Sequence, residues 1–256
     1  MKITEFQKEK LNVNIYQESD EIALAAAEFV AAQLNLAIGK KGSANLVLGT
    51  GASQLAFLKH LQKQKISWEK IIVFHLDEYQ GMSETHPASF RKYLKDRILE
   101  NVKPKQAYYL NGDVSDVEAE ILRYESLLKE HPIDVACIGI GENGHIAFND
   151  PPVADFNDPH LVKVVELDEG CRKQQLGEGW FPTLGDVPTH ALTLTIPAIM
   201  ECKTISCLVP DERKAEAVFN ALNSEISTIC PATILRKHPN AVLFLDSESA
   251  SKLTEL

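Results

Sequence analysis

The chain has 256 residues, 45% of them hydrophobic and 24% charged, enough to bury the core of a globular, soluble protein as one large domain or two small ones. A net charge of −10 with no Lys/Arg-rich run sets the wrong long-range field for nucleic acid or an anionic membrane, while leaving room for a small anion held locally. Cys137, Cys171, Cys202, Cys207 and Cys230 are odd in number and lack C-x-x-C spacing, so they read as reduced, packed thiols and not as a disulfide framework or a zinc site.

The first twenty residues lack the apolar core of a signal peptide, and no run of 18 apolar residues follows, so the cytosol is the expected compartment. A helix is expected over 19–38, with an acidic first turn and Gly39 near its end. Next come the strand NLVLG, the turn TGAS (Thr50 to Ser53) and a helix with Leu55, Leu58 and Leu61 on one face. The strand IIVFHL leads into DEYQGMSETHPASF, where Pro87 suits the first turn of a helix carrying Phe90, Leu94 and Ile98. Ser115 and Glu118 have capping-box spacing ahead of Val117, Ile121, Tyr124 and Leu128. DVACIGI, ALTLTI, TISCLV and AVLFLD complete the strand candidates. Between them, residues 149–190 show no clear periodicity and are rich in Pro, Asp and Gly, which marks a candidate active-site lid. Apolar strands alternating with helical periodicity predict an α/β fold: an open, mostly parallel, doubly wound (Rossmann-like) sheet with helices on both faces, as one domain over 1–256.

In such sheets ligands collect beyond the C-terminal strand ends, and three of those ends carry unusual residues. Glycine at 51, the hydroxyls of Thr50 and Ser53 and the following helix N-terminus suit a phosphate, though the same residues also make a tight turn with Ser53 as cap. Asp77 and Glu78 are adjacent at a strand end, so their side chains point to opposite faces. One of them, Asp77, is a candidate general base or a turn cap, and Glu78 reads as a solvated charge. In GENGHIAFNDPP, Gly144 frees His145 to project, and an imidazole can take and give a proton at neutral pH. Asn143 and Asp150 lie near enough to orient it, while the bland alternative is a histidine satisfied at the start of a buried helix.

VLGTGASQ, HLDEYQGMSETHPASFRKYL, IGIGENGHIAFNDPP, ALTLTIPAIMECKTISCLVPDERKAEAV and PATILRKHPNAVLFLD together resemble the glucosamine-6-phosphate deaminase family, within a wider group that includes 6-phosphogluconolactonases. The second and third stretches have the deaminase form; lactonase-like sequences carry D-E-R and G-H-T-A-S-L-F-P types there. The resemblance implies conversion of glucosamine 6-phosphate and water to fructose 6-phosphate and ammonia, without metal or organic cofactor, by a protein whose partner is a small amino-sugar phosphate. It also implies roles: His145 for ring opening, Asp77 for the proton shuttle between C2 and C1, and Thr50, Gly51, Ser53 and Lys214 for the phosphate. The chain departs from the family's pattern in having Asn143 for an aspartate and Asp150 for a glutamate. Where the family places a phosphate-gripping arginine before an aromatic pair, the chain reads Glu178, Gly179, Trp180, Phe181, and Arg172 lies earlier as the candidate substitute. Two other readings carry weight: a sugar-phosphate lactonase, in which His145 activates water, and a non-catalytic sugar-phosphate sensor, disfavoured because the first 40 residues offer no basic helix-turn-helix. The family includes monomers and larger assemblies, so a homo-oligomer stays open.

Overall fold

In the main sheet five strands are buried along their whole length: β3 (Ala44–Leu48), β4 (Ile71–His75), β7 (Val135–Ile138), β10 (Thr204–Val209) and β11 (Ala241–Asp246). Continuous apolar runs of this kind need cover on both faces, which a parallel sheet between helices supplies. The computed structural model describes residues 1–253. In it, these strands join β1 (Lys2–Lys8), β2 (Leu11–Tyr16) and β6 (Gln106–Tyr108) in an eight-stranded sheet of order β1-β2-β11-β10-β7-β3-β4-β6. Every pair is parallel except the hairpin β1–β2.

Side-chain alternation divides the core. Leu46, Leu48, Val73 and Cys137 face the helices Ser19–Lys41, Leu55–Leu61 and Phe90–Leu94, through Ile22, Val30, Leu34, Phe57, Leu58 and Leu94. Val47, Phe74, Ala136 and Ile138 face the helices Val117–Glu130, Ile196–Met200 and Ala215–Asn223, through Tyr124, Leu128, Ile199 and Val218. Ser19–Lys41 is long and apolar enough to cross a membrane by length and composition, yet Ile22, Ala26, Val30 and Leu34 are wholly buried against the sheet.

A second, three-stranded sheet is antiparallel: β5 (Asp77–Tyr79), β9 (His190–Leu194) and β8 (Val162–Glu166), in the order β5-β9-β8. ALTLTI, expected among the strands of the main sheet, is β9, because a short apolar run carries no information about its partner. The stretch 149–190 is not irregular either. It contains β8, the helix Glu169–Gly177 and a short turn of helix at Leu184–Asp186. Beneath it lies a third apolar cluster built on Tyr79, Phe90, Phe148, Val165 and Phe181.

Three helix boundaries differ from expectation for local reasons. The first helix runs to Lys41, where Gly42 takes the left-handed conformation (φ 81°) and donates its N–H to Ile38, leaving Gly39 inside the helix. Asp116, not Ser115, caps Val117–Glu130, its carboxylate accepting from the Ala119 N–H. Ser89 caps the helix that starts at Phe90, so Pro87 lies in the preceding turn.

Candidate functional site

Going along the sheet, the chain order reverses between β3 and β7: β4 and β6 extend one way from β3, and β10 and β11 the other way from β7. Loops leaving the C-terminal ends of β3 and β7 therefore diverge, and a crevice opens between them. Thr50, Gly51, Ser53, Asp77, Gly141 and Lys214 all line that crevice, which the helix Glu169–Gly177 covers with Gln174 and Gln175, and the following residue with Glu178.

The loop after β3 turns at Gly51 (φ 98°), a conformation L side chains rarely adopt, and enters a short turn of helix at Ala52–Gln54. Ser53 is not its cap. The Ser53 hydroxyl accepts from Gln54 Nε2 at 3.3 Å and stands on the crevice wall. Lys214 enters from the far side, at the end of the turn Glu212–Lys214 that Asp211 caps. It is buried, burial pulls its ammonium below the usual lysine range, and among the described residues it forms no ion pair.

Asp77 and Glu78 part as strand geometry demands. Asp77 faces the crevice and its buried Oδ1 has no hydrogen-bond partner. Burial, reinforced by the charge of Glu78, pushes its carboxyl up to about 8. Glu78, expected at the solvated surface, is wholly buried and structural. Its oxygens accept from the N–H groups of Tyr79, Phe90 and Arg91, from Ser89 Oγ at 2.8 Å and from Arg91 Nε at 3.2 Å. Burial raises its pKa, and these donors oppose that rise. It fastens the start of the helix at Phe90 to the strand that carries Asp77.

His145 sits directly behind Gly141. A Cβ on Gly141 would stand 2.1 Å from the imidazole, so the glycine makes the space that the ring fills. The ring does not itself line the small cavity; it backs the residue that does. Its Nδ1 lies 2.7 Å from Asn143 Oδ1 and 2.9 Å from Asp150 Oδ1, while Asn143 Nδ2 donates to Asp150 at 2.8 Å. Two acceptors on Nδ1 require the proton there, which leaves Nε2 free to exchange protons. Asp150, one methylene shorter than the family's glutamate, reaches the ring. Burial pushes its carboxyl up, but the charge of His145 and hydrogen bonds from His145, Asn143 and Cys171 outweigh this and hold it below the usual range.

His145, Asp150 and Cys171 also bring ligating atoms within 4.8 Å of one another. Nδ1 and Oδ1 are already engaged with each other, and burial raises the Cys171 thiol far above its ordinary value, so a proton relay suits this set better than a cation. All five cysteines are free and buried.

Arg172 is not brought to the crevice. Its Nη2 donates to the carbonyls of Leu184 at 2.7 Å and Val187 at 3.0 Å, so it pins the loop beyond the covering helix. Phe181 is buried against Tyr79, and Trp180 packs edge-on to Tyr93, which makes the aromatic pair a packing anchor. His86 bonds locally, and Arg236 is buried on the carbonyls of Leu222 and Ser224 away from the site. Sequence reasoning missed Gln174, Gln175, Glu178 and Asp168. Asp168 caps the covering helix and also accepts from Asn143 at 3.4 Å, so that helix touches the relay. Nothing in their spacing marks Gln174, Gln175 or Asp168, whereas Glu178 stands in the segment where the resemblance places a phosphate-gripping arginine.

The family described as glucosamine-6-phosphate isomerases/6-phosphogluconolactonase matches residues 17–244. The chain is 35% identical over 245 residues to the glucosamine-6-phosphate deaminase of Bacillus cereus (strain B4264), covering 96% of this chain and 90% of the relative. A solved structure of a monomeric glucosamine-6-phosphate deaminase superposes with a TM-score of 0.86 at 34% identity, covering 93% of this chain and 98% of that one. The 6-phosphogluconolactonase of Shewanella baltica OS155 shares the fold, with a TM-score of 0.78 at 19% identity over 94% of this chain and 100% of that one. With its matched region running from the first helix through the main sheet from β3 into β11, including the loops that form the crevice, the chain belongs to the glucosamine-6-phosphate isomerase/6-phosphogluconolactonase family.

Proposed function

We propose that this crevice converts glucosamine 6-phosphate and water to fructose 6-phosphate and ammonia. The observation that carries the reading is the buried, unpartnered carboxyl of Asp77, raised to about 8, on the same crevice as the Thr50–Ser53 turn and Lys214.

The backbone and hydroxyls of that turn, with the Lys214 ammonium opposite, hold the phosphate and so fix the sugar's register. Opening the pyranose takes a proton from the C1 hydroxyl and gives one to the ring oxygen. His145 Nε2 exchanges these protons, while Asp150 supplies the counter-charge for a transient imidazolium. The open chain presents C2 to Asp77. Moving the C2 proton to C1, while one ammonium proton passes to the aldehyde oxygen, yields a 2-imino sugar with a C1 hydroxyl, and water cleaves its C=N bond to the ketose and ammonia. One carboxylate serves both carbons because they are neighbours, and the substrate's ammonium, brought beside Asp77, favours the ionised form that the step needs.

Residues 1–256 act as one catalytic unit in this reading, and 149–190 supplies the lid. A monomer is the state this reading takes, on the likeness to the solved deaminase described as monomeric. Five buried thiols suit a reducing compartment such as the cytosol. The test is to incubate the purified protein with glucosamine 6-phosphate, galactosamine 6-phosphate and 6-phosphogluconolactone separately and follow ammonia, ketose phosphate and acid. Ammonia and ketose phosphate in equal amounts from the first are expected; acid from the third compound alone overturns the reading.

A further inference from the structure

The Thr50–Ser53 turn already carries a negative charge. Glu178 Oε2 accepts from the Ala52 backbone N–H at 3.3 Å and from Trp180 Nε1 at 3.1 Å, and Oε1 accepts from Gln174 Nε2 at 3.0 Å. A Cβ on Gly51 would stand 3.8 Å from Oε2, so the carboxylate lies over the glycine of the turn. It also acts electrostatically on Lys214, raising the pKa that burial lowers.

The space left in the crevice is about 80 Å³. An adjoining cavity of about 280 Å³ shares Ser53, Glu178 and Lys214 with it, so the Glu178 carboxylate lines both spaces, and a phosphate seated on the Ala52 N–H has to displace it. The β3 and β7 loops are anchored in the main sheet, and Asp77 is paired in β5. The end of the covering helix, by contrast, is held over the turn by the side chain of Glu178. Gly177 and Gly179 flank Glu178 in open space, with no atom within 4 Å of a Cβ on either, and Gly179 turns the chain at φ 82°.

On the reading of that turn as the phosphate cradle, we propose that Glu178 is an internal competitor for the sugar's phosphate: its carboxylate occupies the cradle in the closed crevice and leaves when a phosphate dianion arrives. Two anions cannot share one backbone N–H, so the departure of Glu178 and the outward swing of the end of the covering helix accompany substrate entry. The affinity for any anion is reduced by the fraction of molecules in which Glu178 is seated. Glu178 is thus a specificity-determining residue: a sugar without a phosphate has nothing to displace it with.

The test uses the full chain with Trp68→Phe, which leaves Trp180 as the sole tryptophan, and compares Glu178→Gln, Glu178→Ala and Lys214→Ala in that background. Inorganic phosphate is titrated as an inhibitor of turnover and against Trp180 fluorescence. Both Glu178 variants should be inhibited at about fivefold lower phosphate, with KM lowered by the same factor, as expected when a seated competitor is removed. Phosphate should change Trp180 emission in the parent at its inhibitory concentration. If Lys214→Ala weakens phosphate inhibition while both Glu178 variants match the parent or bind phosphate less well, Glu178 is a structural anchor and the proposal fails. If Lys214→Ala leaves phosphate inhibition unchanged, the cradle reading itself fails.

Discussion

Oδ1 of Asp150 stands 2.9 Å from Nδ1 of His145, and the Asn143 amide clasps both, donating to the carboxylate and accepting from the ring. With a neutral amide at 143, the carboxylate beside the ring is that of Asp150. Asp150→Ala should therefore lower kcat by on the order of 10²–10⁴-fold, the usual share of positioned acid–base catalysis. The Asn143 carbonyl still accepts from Nδ1 in that variant, so nitrogen-15 spectra of the imidazole should keep the Nδ1–H tautomer. An unchanged kcat would remove Asp150 from the reaction. Because the Asp150 carboxyl is held below the usual range, its stabilising contribution is present at neutral pH and is lost only as pH falls through that lowered value.

Asp77 carries the opposite linkage. Burial raises its pKa from the ordinary aspartate range to about 8, so between the two the native state holds a proton that the unfolded chain has released. Stability therefore falls as pH rises through that window, at about 1.4 kcal/mol per pKa unit. Asp77→Asn should abolish the proton shuttle, lowering turnover by about 10³-fold or more. It should also flatten the decline of Tm between pH 5 and 9. In the parent, kcat/KM should rise toward pH 8 as the free carboxyl ionises. A variant with parental turnover, or a Tm profile as steep as the parent's, contradicts the assignment.

Gly141→Ala tests the fit of ring to loop. The added methyl would meet His145 at 2.1 Å, so the imidazole must shift. Activity should fall by about 10²-fold, the expected cost of a displacement near 1 Å, with only modest loss of Tm. Gly144→Ala should instead be read in stability. Its Cβ would stand 2.5 Å from Cys230 Sγ at a positive φ of 84°, and the cost should reach about 1–3 kcal/mol in denaturant unfolding.

Arg91→Met leaves the Glu78 carboxylate buried without its guanidinium. A broken buried pair costs about 3–5 kcal/mol, so Tm should drop by roughly 10 °C in a chain of this size. The effect should appear in the melting curve before it appears in KM, because neither Arg91 nor Glu78 lines the crevice.

Much of this molecule is legible in one dimension. The runs NLVLG, IIVFHL, DVACIGI, TISCLV and AVLFLD announce a doubly covered parallel sheet because burial on both faces leaves no polar positions. TGAS, Asp77 and His145 stand out because glycine turns and ionisable groups at strand ends have few structural uses. The rest depends on partners distant in sequence. ALTLTI gives no sign that it pairs with Asp77–Tyr79 and not with the main sheet. Glu78 looks like a surface charge until Ser89, Phe90 and Arg91 fold back onto it. Arg172 appears available for an anion until the carbonyls of Leu184 and Val187 are seen to hold it. Glu178 stands out in the sequence as the wrong charge for a phosphate-gripping segment, and its seat on the N–H of Ala52, 126 positions away, shows only in the fold.

Leu76 alone separates β4 in the main sheet from β5 in the smaller one, and β5 is sewn to β9, which is sewn to β8. Asp77 is thereby welded to both margins of the span that roofs it, at Val162–Glu166 and His190–Leu194, while the helix between those margins is joined to the frame by side chains. Chemistry and selectivity are accordingly separable: exchanging the stretch from Glu169 to Asp186 among relatives would change which sugar is admitted, yet leave the carboxyl at 77 at its post.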